Sequence, residues 1–141
     1  MSFPNTFPII HDDYHAERIG KLPDGTQFFV TTPFRPESKD IPGAEYLAVF
    51  LFESNGTFRE ARIDNLGSRA EMDKESAQVL LGQRMSELVG AKFCDIEVSH
   101  FSLQFDETEF GFIPQDETGG IELQPGNYMA FFPPWDGYYD T

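Results

Sequence analysis

Residues 45–52 read EYLAVFLF, and every position from Tyr46 to Phe52 is apolar. A strand carries that composition only when both of its faces are covered, because a strand with one wet face alternates. The segment therefore predicts a central strand, with something packed on each side of its sheet. It is too short to cross a bilayer, which takes about 20 apolar residues in a helix. Ser54-Asn55-Gly56 follows at once. An Asn-Gly pair between two strand-like runs is a strong hairpin signal, since both residues tolerate positive φ. Residues 57–64 (TFREARID) then alternate, which assigns Arg59, Ala61 and Ile63 to one face and Phe58, Glu60, Arg62 and Asp64 to the other.

The rest of the chain reads in shorter pieces. Residues 1–20 hold Pro4, Pro8 and Gly20 with little periodicity, and are expected to form an extended arm lying on the domain. Pro23-Asp24-Gly25 is a turn, 26–32 (TQFFVTT) a strand, and 33–43, with three prolines, an exposed loop. Asp73 can cap a helix over about 74–89, its carboxylate accepting first-turn N–H groups. Ala77, Leu80, Leu81, Met85 and Leu88 share one side of that helix, and Gly90 suits its C-terminal end. Period two then returns. Cys94, Ile96 and Val98 share a face, as do Phe101, Leu103 and Phe105, but three residues separate Val98 from Phe101. A bulge or break at Ser99-His100 restores the parity. Residues 106–109 are a turn, 110–114, 121–123 and 127–132 strands, and 133–141 an aromatic tail. These pieces predict a single α+β domain over 1–141: one antiparallel sheet of six or seven strands, with one main helix (about 74–89) packed on it.

Charge narrows the function. Ten Lys+Arg face 24 Asp+Glu, a net of −14 over 141 residues, and the pI is near 4.3. Such a chain repels phosphate backbones and anionic membrane surfaces, so neither nucleic acid nor a membrane is expected as a partner. The N-terminal residues lack the cationic and apolar regions of a signal peptide. Cys94, the single cysteine, suits a reducing compartment, and a cytoplasmic location is expected. The charge is uneven. Residues 1–92 carry 14 acids and all 10 bases, whereas 93–141 carry 10 acids and no Lys or Arg. Either this stretch is a solvated face, or it receives a basic protein partner. The partner surface expected from sequence combines the turn acids Asp106, Glu107 and Glu109 with the tail aromatics Trp135, Tyr138 and Tyr139, since Trp and Tyr anchor interfaces.

Catalytic signals are sparse. His11-Asp12-Asp13-Tyr14-His15 sets two histidines four apart with acids between them, a spacing that chelates zinc from one helical face. Pro8 before it and Gly20 after it leave little room for a helix, and a hydrogen-bonded arm is the expected role. Neither a metal nor any other cofactor is expected. The alternative is a small metal-dependent enzyme using His11, Asp12, Asp13 and His15. Cys94 alternates with Ile96 and Val98 beside Asp95, so it reads as a buried small residue rather than a nucleophile. His100 at the break reads as structural. No phosphate-binding glycine loop and no G-x-S-x-G elbow occurs.

Three segments, PIIHDDYHAERIGKLPDGTQFFVTT, AVFLFESNGTFREARIDNLG and the terminal PPWDGYYDT, resemble a family of small bacterial proteins, the formate hydrogenlyase regulatory protein-like family. The PWDGxYDT ending is the most specific piece. The resemblance implies a cytosolic bacterial protein with a regulatory, non-enzymatic role, and it carries over no catalytic residue. With the charge above, the reading is an acidic protein-binding or regulatory domain, such as an inhibitor or immunity-type partner of a basic protein. A self-associating structural protein, a homo-oligomer, is the third alternative.

Overall fold

The computed structural model describes residues 2–141. In chain order its strands are β1 (Thr6–Ile9), β2 (Ile19–Lys21), β3 (Gln27–Thr31), β4 (Phe34–Arg35), β5 (Ala44–Phe52), β6 (Phe58–Gly67), β7 (Lys92–Phe93), β8 (Ile96–Ser99), β9 (Phe101–Phe105), β10 (Thr108–Gln115), β11 (Gly120–Gln124), β12 (Ala130–Phe131) and β13 (Tyr139–Asp140). Helix α1 (Lys74–Ser86) lies between β6 and β7. All pairings are antiparallel, as short connections require.

The expected single sheet is corrected to three. Strands β4, β5, β3, β2 and β7, with β6 on the far edge of β5, make a six-stranded sheet. β9 to β13 make a five-stranded sheet in the order β13-β12-β11-β10-β9, and β1 pairs with β8 in a separate ribbon. The coarser assignment, strands with one helix, stands.

β5 is central, with every residue from Tyr46 to Phe52 at most 3% exposed. Its two faces serve two cores. Tyr46, Ala48, Phe50 and Phe52 point into the main core with Phe7, Phe29, Phe110, Phe112 and Phe131. Leu47, Val49 and Leu51 join Phe28, Val30 and Leu88 in a second cluster, against which Leu80, Leu81 and Met85 of the helix pack. The layers are therefore helix, six-stranded sheet and five-stranded sheet. Phe112 is the hub of the main core, with ring centroids 5.2–6.5 Å from those of Phe7, Phe29, Phe50, Phe52, Phe101 and Phe131. Edge-to-face contacts dominate, as the ring quadrupole favours.

Along the other edge of β5, β3 and β4 share one register, from Thr31↔Ala48 to Phe34↔Glu45. The segment 33–43 thus contributes a short strand before looping out. The β5–β6 hairpin turns through Ser54-Asn55-Gly56, and only Gly56 has positive φ, 95°. That is the three-residue turn with a left-handed third position, rather than a two-residue turn. A Cβ at Gly56 would sit 2.9 Å from Glu97 O, so the turn also abuts β8. The register slips between Leu51 and Phe52, where Glu60 and then Phe58 are the partners. The extra residue, Arg59, flips the parity of the strand, and Phe58 joins Ala61 and Ile63 against the main core. The expected grouping of Phe58 with Glu60 and Arg62 is corrected accordingly.

α1 begins at Asp73, whose side chain accepts from Glu75 N at 3.0 Å and Ser76 Oγ at 2.9 Å. It ends at Ser86, short of residue 89, and Leu88 packs beyond it. No residue of the helix is fully buried. Arg84 fastens it to β6 through two 2.9 Å bonds to the Asp64 carboxylate. The break expected at Ser99-His100 is where the chain leaves β8 for β9, with His100 exposed.

Residues 2–20 run extended apart from a bend and turn over 13–18, and they do more than lie across the surface. β1 pairs with β8, β2 with β3 and β7, and Phe7, Ile9, Ala16 and Ile19 are fully buried. The buried Gln27 side chain ties this ribbon to the main sheet. Its amide donates to Glu97 O and accepts from Glu97 N, both at 2.8 Å, and so mimics one rung of a ladder.

Candidate functional site

The whole five-stranded sheet, residues 101–140, comes from the last third of the chain, which has no Lys or Arg. Its inner face carries Phe110, Phe112, Ile121, Leu123 and Phe131. Strand alternation therefore puts Ser102, Gln104, Glu109, Ile113, Glu122, Gln124, Ala130 and Asp140 on the outer face. The helix packs on the other sheet, so no helix covers this face, although the Phe132 ring lies over Gly120 at its β11 end. It is polar and acidic, with Glu109, Glu122 and Asp140 across it and Glu107, Asp116 and Glu117 exposed in its hairpin turns. Glu122, Asp140 and the glutamines were not singled out from sequence. The available signal was that they share strand parity with Glu109.

The residues expected to form the partner surface do not form one patch. Glu107 is exposed in the β9–β10 turn, and Glu109 lies on the outer face, accepting from Ser102 Oγ at 2.7 Å. Asp106 is a clasp between sheets. Its carboxylate accepts from Tyr46 Oη at 2.6 Å and Asn65 Nδ2 at 2.8 Å, and pairs with Arg35 at 3.5 Å. Its backbone oxygen accepts from Arg35 Nη1 at 2.8 Å. The Tyr46 hydroxyl holds the Asp106 carboxyl below the usual carboxylate range, and Asn65 and Arg35 add to this.

The tail folds inward. β13 pairs with β12, and Gly137 O accepts from Ile10 N. Trp135 packs edge-on against Phe3, and both lean on the main core. Tyr139 is half-buried and donates its hydroxyl hydrogen to Asp12, while His15 N donates to that hydroxyl at 3.1 Å. Burial first, then the bond to Asp12, pushes Tyr139 up to about 12. Of the three tail aromatics only Tyr138, 70% exposed, faces water.

The four residues of the metal alternative go to separate tasks. His11 donates from Nε2 to Glu17 O at 3.0 Å, and its ring stacks on Phe93. Asp12 accepts from Tyr14 N and Ala16 N, both at 2.9 Å, besides Tyr139. Asp13 is exposed, and His15 stacks on Tyr14. Burial alone would raise the Asp12 carboxyl, but these hydrogen bonds bring it below its ordinary value. Burial lowers the His15 imidazole, with Asp12 opposing. Among the described residues no group of three or more His, Cys, Asp and Glu side chains is placed to hold a metal ion. Cys94 is half-buried rather than buried, because it lies where β7 gives way to β8.

Two clefts flank Phe34, Glu45 and Arg69. One, of about 520 Å³, is walled by Pro36, Pro42 and residues 68–71. The other, of about 300 Å³, lies between α1 and β5 over Leu47, Leu66 and Leu81. A third of about 210 Å³ is bounded by Tyr14, His15, Arg18 and Tyr128, whose hydroxyl bonds Thr31. Among the described residues no helix is long and apolar enough to cross a membrane. No protein-family model, no curated protein and no solved structure matches this chain.

Proposed function

We propose that the protein is a non-enzymatic, cytoplasmic binding domain that docks a basic protein on the outer face of its five-stranded sheet. One observation carries this reading: residues 101–140, which include no Lys or Arg, build a single sheet whose outer face no helix covers. Acids spread across such a face attract a cationic partner from a distance and speed the encounter. Exposed Gln104 and Ser102, with half-buried Gln124, supply the short-range hydrogen bonds that a polar interface uses. The resemblance to the formate hydrogenlyase regulatory protein-like family supports a regulatory role, and inhibition of a basic enzyme is the same contact with a different outcome.

The test is a pull-down from the native cell, followed by association kinetics with the captured partner. Its on-rate should fall with salt, because the Debye length shrinks from about 10 Å at 0.1 M to about 3 Å at 1 M. The triple variant Glu109→Gln, Glu122→Gln, Asp140→Asn should slow association and flatten that dependence, with the melting temperature not lowered. An acidic partner, or one whose on-rate ignores both salt and the triple variant, overturns the reading.

Self-association is a second reading, favoured by β6. Among the described residues this ten-residue strand pairs with β5 alone, which leaves its outer edge without a strand partner. About a two-fold axis at Ala61, Glu60 of each copy would oppose Arg62 of the other. Light scattering at two ionic strengths decides it: a monomeric mass at both rules it out.

A further inference from the structure

The geometry points to a guanidinium-binding site between α1 and β5, which the protein's own Arg69 occupies. This site lies on the six-stranded sheet and does not depend on the acidic-sheet reading. Glu45 stands at its centre. It belongs to β5, next to the residues that face the helix, and its side chain is only 16% exposed. A carboxylate so far withdrawn from water needs a cationic partner. That partner is Arg69, whose Nε donates to Glu45 Oε1 at 2.8 Å. Arg69 itself is 80% exposed and lies 6.0 Å over the Phe34 ring.

The arrangement is asymmetric. The carboxylate and the ring are fixed by strands, because β4 pairs Phe34 directly with Glu45. The guanidinium comes from the turn after β6 and buries almost nothing. Beneath it the cavity of about 300 Å³ is floored by Leu47, Leu66 and Leu81, apolar surface that Arg69, lying in water, covers little. A carboxylate, an aromatic face and an apolar floor together are complementary to a planar cation on an aliphatic stem. Arg69 demonstrates the head-group chemistry but leaves the floor unused. A ligand guanidinium with a three- or four-carbon chain would take the carboxylate and the ring, and lay its stem on the leucines. Arg35 lines the neighbouring cleft but is engaged by Asp106, Thr108 and Pro42 O, and Glu37 and Glu71 on the same walls balance its charge. The cation comes either from a free alkylguanidine or from an arginine side chain of a peptide. The recognition chemistry is the same for both.

The experiment titrates isotope-labelled full-length protein with agmatine in one arm and with an acetyl-Gly-Arg-Gly-amide peptide in the other, followed by NMR. Binding in about the millimolar range is expected for so small a ligand, with shifts concentrated at Phe34, Glu45, Leu47, Arg69 and Leu81. The arm with the lower Kd names the source. Arg69→Ala should tighten binding about two- to fivefold, because Arg69, itself 80% exposed, is weak competition for Glu45. Glu45→Gln should weaken it about tenfold or more, since a charge-assisted bond is lost. Butylammonium should bind more weakly than agmatine, lacking the planar face. Shifts confined to other surfaces in both arms, or affinity unaltered by Arg69→Ala and Glu45→Gln in folded protein, overturns the proposal. The wild-type titration decides even if a variant fails to fold.

Discussion

Asp106 shows how a side chain changes meaning once its neighbours are known. In sequence it is one more acid in an exposed turn. In the fold it receives the hydroxyl of fully buried Tyr46 and the amide of Asn65, and stands 3.5 Å from Arg35. These partners are tens of residues away along the chain, so no local pattern could disclose them. The carboxylate is 38% exposed, and solvent screens part of its attraction. Asp106→Ala is therefore expected to cost about 1–2 kcal/mol, chiefly by orphaning the Tyr46 hydroxyl, and a urea titration measures it. An unchanged midpoint would make the clasp irrelevant. Protonation acts likewise. Asp106 and Asp12 have folded values below their ordinary 3.8, so their contribution is present above about pH 4 and fades as pH falls through the depressed values. His15 is held below its ordinary 6.5, so the unfolded chain binds its proton first and stability declines as pH drops below 6.5. Melting temperature should thus fall in two stages on acidification. His15→Gln should flatten the upper stage and Asp106→Asn the lower. Tyr139→Phe removes both the donor to Asp12 and the acceptor of His15 N, and should speed amide exchange at Ile10, which bonds Gly137 O.

At the scale of elements, β5 and α1 sit at opposite ends of legibility. β5 is dictated by its own composition. Leu51, 3% exposed, faces the helix-side core, and Leu51→Ala should cost about 2–4 kcal/mol. The helix is announced by its cap and spacing, yet it is a lightly attached cover: none of its residues is fully buried and Val79 is 60% exposed. Its anchor lies past its end. Leu88→Ala, at a 4% exposed position, should cost about 2–4 kcal/mol, whereas Val79→Ala should stay within about 0.5 kcal/mol. Equal losses in chemical denaturation would place the helix deeper than the structure does. The bulge at Arg59 explains why alternation misassigned Phe58. Parity counts residues, and one extra residue inverts every assignment beyond it.

Across the whole molecule, the −14 charge acts on the folded state as self-repulsion, and few cations stand near the five-stranded sheet to offset it. Raising NaCl from about 0.1 to about 1 M should therefore raise the melting temperature, since screening shortens the reach of like charges. A fall would mean that the ion pairs of the first 92 residues outweigh the repulsion. Read alone, the chain already determines the doubly buried β5, the hairpin at Gly56, the helix capped by Asp73, the break at His100 and the cation-free last third. Each of these is written in neighbouring residues, through side-chain period, turn chemistry or a running count of charge. Only the tertiary structure decides that the strands divide among three sheets, that Thr6 lies opposite Ser99, that Trp135 and Tyr139 turn inward, and that Glu45 meets Arg69. Period tells which face of a strand is apolar but not which strand it will pair with. That choice is made by long-range backbone hydrogen bonds and by the shape of the shared core, neither of which is local in sequence.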